Sequence, residues 1–132
     1  MRGATPASIV YSDDRALAFM DIQPVNPGHV LVVPKTHAAQ LSELDETIGG
    51  HLFRVAMRVT ASLRRSGLKC EAVNLILADG EVAGQEIFHV HLHVVPRFKD
   101  DGFGFKFCSS YGLKPERKEL DAIAEKIRDA MH

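Results

Sequence analysis

Two cysteines in 132 residues, Cys70 and Cys108, lie far apart and at no metal-ligand spacing. That excludes a disulfide framework or a cysteine zinc site and points to a reducing cytoplasm. The start of the chain shows neither a basic-apolar leader pattern nor a small-residue cleavage site. Long apolar runs are missing as well. The strongest candidate, Val30 to Val33, is bracketed by His29, Pro34 and Lys35, far short of the roughly 20 residues that cross a bilayer. With 16 basic and 17 acidic residues interspersed and a formal net charge of -1, there is no single-sign stripe suited to a nucleic acid or a membrane surface. The expected partners are small molecules or copies of the chain. Repeats, low-complexity tracts and flexible linkers are absent, so residues 1–132 read as one domain, large enough to bury a core without disulfides or a structural metal.

Turn residues divide the chain into short patterned segments. Ser8 to Tyr11 and Arg15 to Asp21 predict two strands of a hairpin turning at Ser12-Asp13-Asp14, because Ser and Asp hydrogen-bond their own backbone in turns. Pro24-Val25-Asn26-Pro27-Gly28 breaks the chain. The β-branched run His29 to Val33 then predicts a central strand covered on much of both faces, ended by Pro34. Beyond Leu44, the residues Ile48, Leu52, Val55, Val59 and Leu63 recur at helical spacing with Gly67 as a stop. Val73 to Leu77 and Phe88 to Pro96 predict two more strands joined by the turn-rich segment Ala78 to Gln85, and Pro115 can open a last helix striped with Leu120, Ile123, Ile127 and Ala130. The pattern is α+β, with hairpin-like connections that favour an antiparallel sheet.

The chemistry concentrates in His89-Val90-His91-Leu92-His93-Val94-Val95. A strand's two-residue period puts the three imidazoles on one face and Val90, Leu92 and Val94 on the other. Alternate side chains stand roughly 6.5–7 Å apart, close enough for three histidines to surround a phosphate-sized group. Imidazole is a competent nucleophile and proton carrier near neutral pH. His91, flanked on both sides, is the natural nucleophile, with His89 and His93 placed to bond phosphoryl oxygens. Gly84 and Gln85 offer a backbone amide without a nearby Cβ and a side-chain amide donor. Two other readings stand beside this one: an exposed strand without chemistry, and three imidazoles holding a metal.

The segment resembles the signature of the histidine-triad (HIT) family, His-x-His-x-His followed by two apolar residues. Phe19-Met20-Asp21-Ile22, Pro27 to Lys35, and Asp79-Gly80 through Ala83-Gly84-Gln85 resemble family segments in the same order, so the resemblance spans roughly Pro6 to Arg97. It implies a histidine-triad fold with an antiparallel sheet of about five strands, one long helix and a C-terminal helix, pairing as a homodimer. It also implies a hydrolase or nucleotidyl transferase acting on a purine nucleotide, either a dinucleoside polyphosphate or a nucleoside phosphoramidate. The implied nucleophile is His91, flanked by His89 and His93. His29 supports the triad, Gln85 contacts phosphate and leaving group, Asp21 takes the ribose hydroxyls, and Phe19 and Ile22 wall the base.

Two departures qualify the resemblance. Ala78 stands where many relatives carry Asn or Gln seven positions before the signature glutamine, removing one donor and keeping open a nucleotide-binding module with little turnover. Relatives that hold zinc open with a Cys-x-x-Cys pair, whereas Met1-Arg2-Gly3-Ala4-Thr5-Pro6 has none. That counts against a structural zinc, although His37 resembles a zinc-ligand position. No cofactor is expected for the chemistry itself, and a divalent cation can accompany a polyphosphate substrate. Arg97, just after Val95-Pro96, is a candidate contact for extra phosphates and leans the reading toward polyphosphate cleavage.

Overall fold

The computed structural model describes residues 7–131; the cysteine-free opening Met1 to Pro6 lies outside them. Five strands form one antiparallel sheet in the order β1-β2-β3-β5-β4. They are β1 (Ile9–Ser12), β2 (Ala16–Met20), β3 (Val30–Pro34), β4 (Ala72–Leu77) and β5 (Leu92–Arg97). Helix α1 (Glu46–Arg65) lies between β3 and β4 in the chain, and α2 (Arg117–Ala130) ends it.

The hairpin forms where the Ser-Asp-Asp turn predicts it. Asp13 Oδ1 accepts from the backbone N–H groups of Arg15 and Ala16, both at 2.8 Å. Its Oδ2 accepts from the Tyr11 hydroxyl at 2.7 Å and lies 2.6 Å from His51 Nε2, which ties the turn to α1. Asp45 caps α1 by accepting from Thr47 N–H at 2.7 Å, and Arg64 and Arg65 complement the helix dipole in the last turn.

The two faces of the sheet have different fates. Ala16, Ala18, Val30, Val32, Leu92 and Val94 point toward Leu52, Val55, Ala56, Val59 and Leu63 of α1 and form the core. Each large aliphatic side chain buried there contributes about 1.5–3 kcal/mol. The alternate residues Leu17, Phe19, Leu31, Val33 and His93 turn to the opposite face, where no helix covers them and a cleft opens.

One expectation needs correction. The histidine strand begins at Leu92, not Phe88, so His89 and His91 precede the ladder. The last β3–β5 pair is Val32 with Leu92. Further along β3 stands Pro34, which has no N–H to donate. The incoming chain bonds elsewhere: Val90 N–H donates to Ala38 O at 2.7 Å, and His89 N–H to Ile87 O at 2.8 Å. The alternation itself survives, for Val90 is buried beside Leu92 and Val94. Helix α2 forms as predicted after Pro115, and its stripe residues Leu120, Ile123 and Ile127 are exposed.

Candidate active site

Rows of side chains across the sheet assemble the cleft. Phe19 pairs with Leu31, and Leu31 with His93, so an aromatic wall and the third histidine share one row. Just beyond β2, Asp21 N–H donates to His29 O at 3.0 Å, which holds Asp21 and His29 side by side at one end. Gly28, at φ +101°, makes the turn into His29. A Cβ there would lie 3.2 Å from Leu63, Leu68 and Pro96, so both conformation and space call for glycine. Gly84, at φ +102°, lines the cleft near the triad, as do Ile22, Glu86, Ile87 and Phe88.

The hydrogen bonds settle which imidazole nitrogens carry protons. His91 Nδ1 lies 2.7 Å from the carbonyl oxygen of His89. A carbonyl only accepts, so Nδ1 holds the proton and the Nε2 lone pair is left free. At His29, Nδ1 accepts from Val25 N–H at 3.1 Å; Nε2 therefore carries the proton and donates to His93 Nδ1 at 3.0 Å. His93 in turn keeps its proton on Nε2. One backbone amide thus sets the tautomers of two histidines, and the result is a lone pair on His91 beside an N–H on His93, their rings 4.9 Å apart and edge to face.

Burial pushes the pKa of both His29 and His93 down. Asp21 opposes this at His29, while the neighbouring histidines reinforce it at His93. His29 is 3% exposed, and its bond to His93 joins it to the triad. Its Nε2 also lies 3.5 Å from Asp21 Oδ2.

Other candidates fall in different places. Phe19, Ile22, Asp21 and Gly84 all line the cleft. Gln85 does not: it is 2% exposed, its Oε1 accepting from Gly80 N–H and its Nε2 donating to Ala39 O and Ile87 O. It staples three loops behind the triad. His89 turns away from His91, with Nε2 on Pro34 O at 3.0 Å and Nδ1 3.1 Å from His37 Nδ1. Arg97 sits at the far end of β5, bonded to Asp101, Asn74 and the carbonyl of Phe103. It cannot meet a phosphate in the cleft, so the lean toward polyphosphate cleavage loses its support.

Several cleft residues escaped the sequence reading. Leu31 and Val33 were legible as the odd positions of β3. Lys35 and Glu86 carried no pattern; only the folding of their loops brings them to the rim.

Metal fits poorly among the described residues. Asp21, His29 and His93 bring three ligand atoms within 4.8 Å of one another. The nitrogen His29 would offer is the one that carries its proton, because Val25 N–H already occupies the other. The three triad imidazoles do not converge on a point. His37 and His89 could supply two ligands, yet no third ligand-bearing side chain joins them among the described residues, and a closed zinc site takes four.

A histidine cluster leading into β5 and facing an open cleft, with one imidazole lone pair free, defines a histidine-triad site. The HIT domain family model matches residues 2–100, and the chain belongs to that family. An uncharacterized HIT-like protein of Borreliella burgdorferi is 43% identical over 117 residues, 87% of this chain and 84% of that protein. Among solved structures, a HIT family protein of Bacillus anthracis superposes with a TM-score of 0.89 at 34% identity, covering 98% of this chain and 92% of that one. A zinc-bound histidine triad family protein of Mycobacterium smegmatis gives 0.74 at 34% identity, covering 98% and 91%.

Proposed function

We propose that this chain is a nucleotide hydrolase or nucleotidyl transferase that cleaves the α-phosphate linkage of a purine nucleoside compound through a covalent nucleotidyl-histidine on His91. One observation carries the reading: the His89 carbonyl holds His91 Nδ1–H, leaving Nε2 free in the cleft. In the first step Nε2 bonds to the α-phosphorus while the bond to the leaving group breaks and its electron pair departs with that group. The His93 Nε2–H hydrogen-bonds the phosphoryl or departing atom; the Gly84 N–H, expected from the sequence as a second donor, is instead given to Glu81 O at 2.9 Å. Water then attacks the phosphorus, the histidine–phosphorus bond breaks, and nucleoside monophosphate is released.

Asp21 accepts from the ribose hydroxyls, and Phe19 and Ile22 flank the base. Gln85 acts as a positioning residue that fixes the Gly84 loop. The cleft, about 1160 Å³ and open to solvent, has room for a nucleotide and its leaving group. That group is a second nucleotide in a dinucleoside polyphosphate or an amine in a nucleoside phosphoramidate.

The test is turnover and mass spectrometry of the wild type and His91→Ala against a nucleoside phosphoramidate and a diadenosine polyphosphate in parallel. The wild type is expected to turn over at least one, with an adduct of nucleotide mass on His91, and the variant neither. Full activity in the variant would remove His91 as nucleophile. Nucleotide binding with silence on both substrates would favour a binding module, the reading that Ala78 supports.

A further inference from the structure

Asp21 stands where the end of the cleft meets the histidine chain. Its backbone N–H is tied to His29 O, and its Oδ1 accepts from Gln23 N–H at 2.9 Å, while Oδ2 lies 3.5 Å from His29 Nε2. The His29 Nε2–H is one proton before two acceptors: His93 Nδ1 at 3.0 Å and the more distant, negatively charged Asp21 Oδ2. Ligating atoms of all three residues lie within 4.8 Å of one another. The imidazole is almost fully buried and the carboxylate mostly so, and charge acts more strongly there than in open water.

An anionic acceptor competes for a shared proton more strongly than its distance alone implies. Burial, chiefly, lowers the pKa of both imidazoles, and the Asp21 charge opposes that at each, so the carboxylate is felt as far as His93. Hydroxyl donors that occupy the carboxylate oxygens spread that charge and weaken its pull on the His29 N–H. The N–H then goes wholly to His93 Nδ1. A firmer donor at Nδ1 polarises the ring and makes the opposite Nε2–H of His93 a stronger donor in turn, the cooperativity of a hydrogen-bonded chain.

We infer that Asp21 couples ribose recognition to the chemical step: once ribose hydroxyls fill it, it releases the His29 N–H to His93 and so strengthens the hydrogen bond from His93 to the phosphoryl or departing atom. The 2′-hydroxyl of a correct substrate thereby raises the rate of nucleotidyl transfer as well as the affinity, an interaction realised in the transition state and not only in the ground state. No covalent bond changes at Asp21 or His29; hydrogen bonds alone are redistributed. This rests on the nucleotidyl transfer proposed above.

The substrate that the wild type turns over, phosphoramidate or dinucleoside polyphosphate, is compared with its 2′-deoxy and 2′-fluoro forms, both of which lack the hydroxyl donor. Maximal single-turnover rate and half-saturating concentration are measured for the wild type and for Asp21→Asn, whose amide still bonds a hydroxyl but carries no charge. The wild type is expected to lose about tenfold in maximal rate with either analogue, a part of the roughly 10²–10³-fold that one such donor is worth. In Asp21→Asn the three substrates should share one maximal rate and differ only in half-saturating concentration. Equal maximal rates in the wild type would reduce Asp21 to a binding residue and overturn the coupling while leaving the enzymatic function standing. The wild-type ratio persisting in Asp21→Asn would overturn it too, since the charge would then play no part. The wild-type comparison stands without the variant, whose fold is checked by thermal melting. Absence of wild-type turnover on every nucleotide would overturn the functional reading and the coupling together.

Discussion

The two ends of β5 are both rich in ionisable groups, and they differ in what those groups have left to give. At the C-terminal end Arg97, Asp101, Asn26 and Asn74 consume one another. At the N-terminal end the hydrogen bonds stop short. A carbonyl takes one side of His91 and a backbone amide orients His29 and His93, leaving a lone pair and an N–H directed at an open cleft. A satisfied cluster holds a fold together, whereas a preorganised but unfinished one can act on a ligand.

Substitutions at the two ends should separate these roles. The largest effect is expected for His91→Ala, a loss of turnover on the order of 10⁴-fold or more with an unchanged thermal midpoint. A residual rate within tenfold of wild type would break the comparison. His93→Ala should cost roughly 10²–10⁴-fold in kcat. Because burial holds the His29 and His93 pKa values down, both rings stay neutral until the pH drops below the ordinary imidazole range, where protonation disrupts the Val25–His29–His93 chain. The wild-type pH–rate profile should therefore fall on the acid side, and persistence of full activity there would contradict the tautomer assignment.

Asp21→Ala should weaken nucleotide binding by about 10- to 100-fold, the worth of a hydrogen bond to a charged group, and erase the preference for ribo- over deoxyribonucleotides in a calorimetric titration. At the other end of β5, Arg97→Ala should leave kcat and KM within about twofold while lowering Tm. A selective loss with polyphosphate substrates would return Arg97 to the site. Smallest is the acid response. Hydrogen bonds from Arg97 and from backbone amides hold the Asp101 pKa well below the usual carboxylate range. Its contribution is complete above that range and drains away as the pH falls through and below it. Tm measured against pH should decline less steeply in Asp101→Asn than in the wild type.

Much of this was legible in the chain because short-range physics writes it there. The alternation from Val90 to Val94 showed which side of the histidine segment would be core, and the spacing from Leu52 to Leu63 showed the buried stripe of α1. The Asp13 turn was readable from side chains that bond their own backbone. Arg97 was not, since its partners Asn74 and Asp101 meet it only after β4 and the following turn have folded. Gln85 was readable as a candidate but not as buried, because its acceptors Ala39 and Ile87 lie on separate loops.

By itself, then, the sequence determined the elements, their faces, and the three histidines with Asp21 and Phe19 beside them, all of which follow from periodicities of two and 3.6 residues and from local turn chemistry. Only the tertiary structure decided which imidazole nitrogen stays free, where β5 begins, and that the apolar stripe of α2 stays exposed. Those outcomes depend on contacts between residues distant in the chain, among them the 64 positions separating His29 from His93, and a hydrogen bond at that distance exists only once the sheet has brought its ends together.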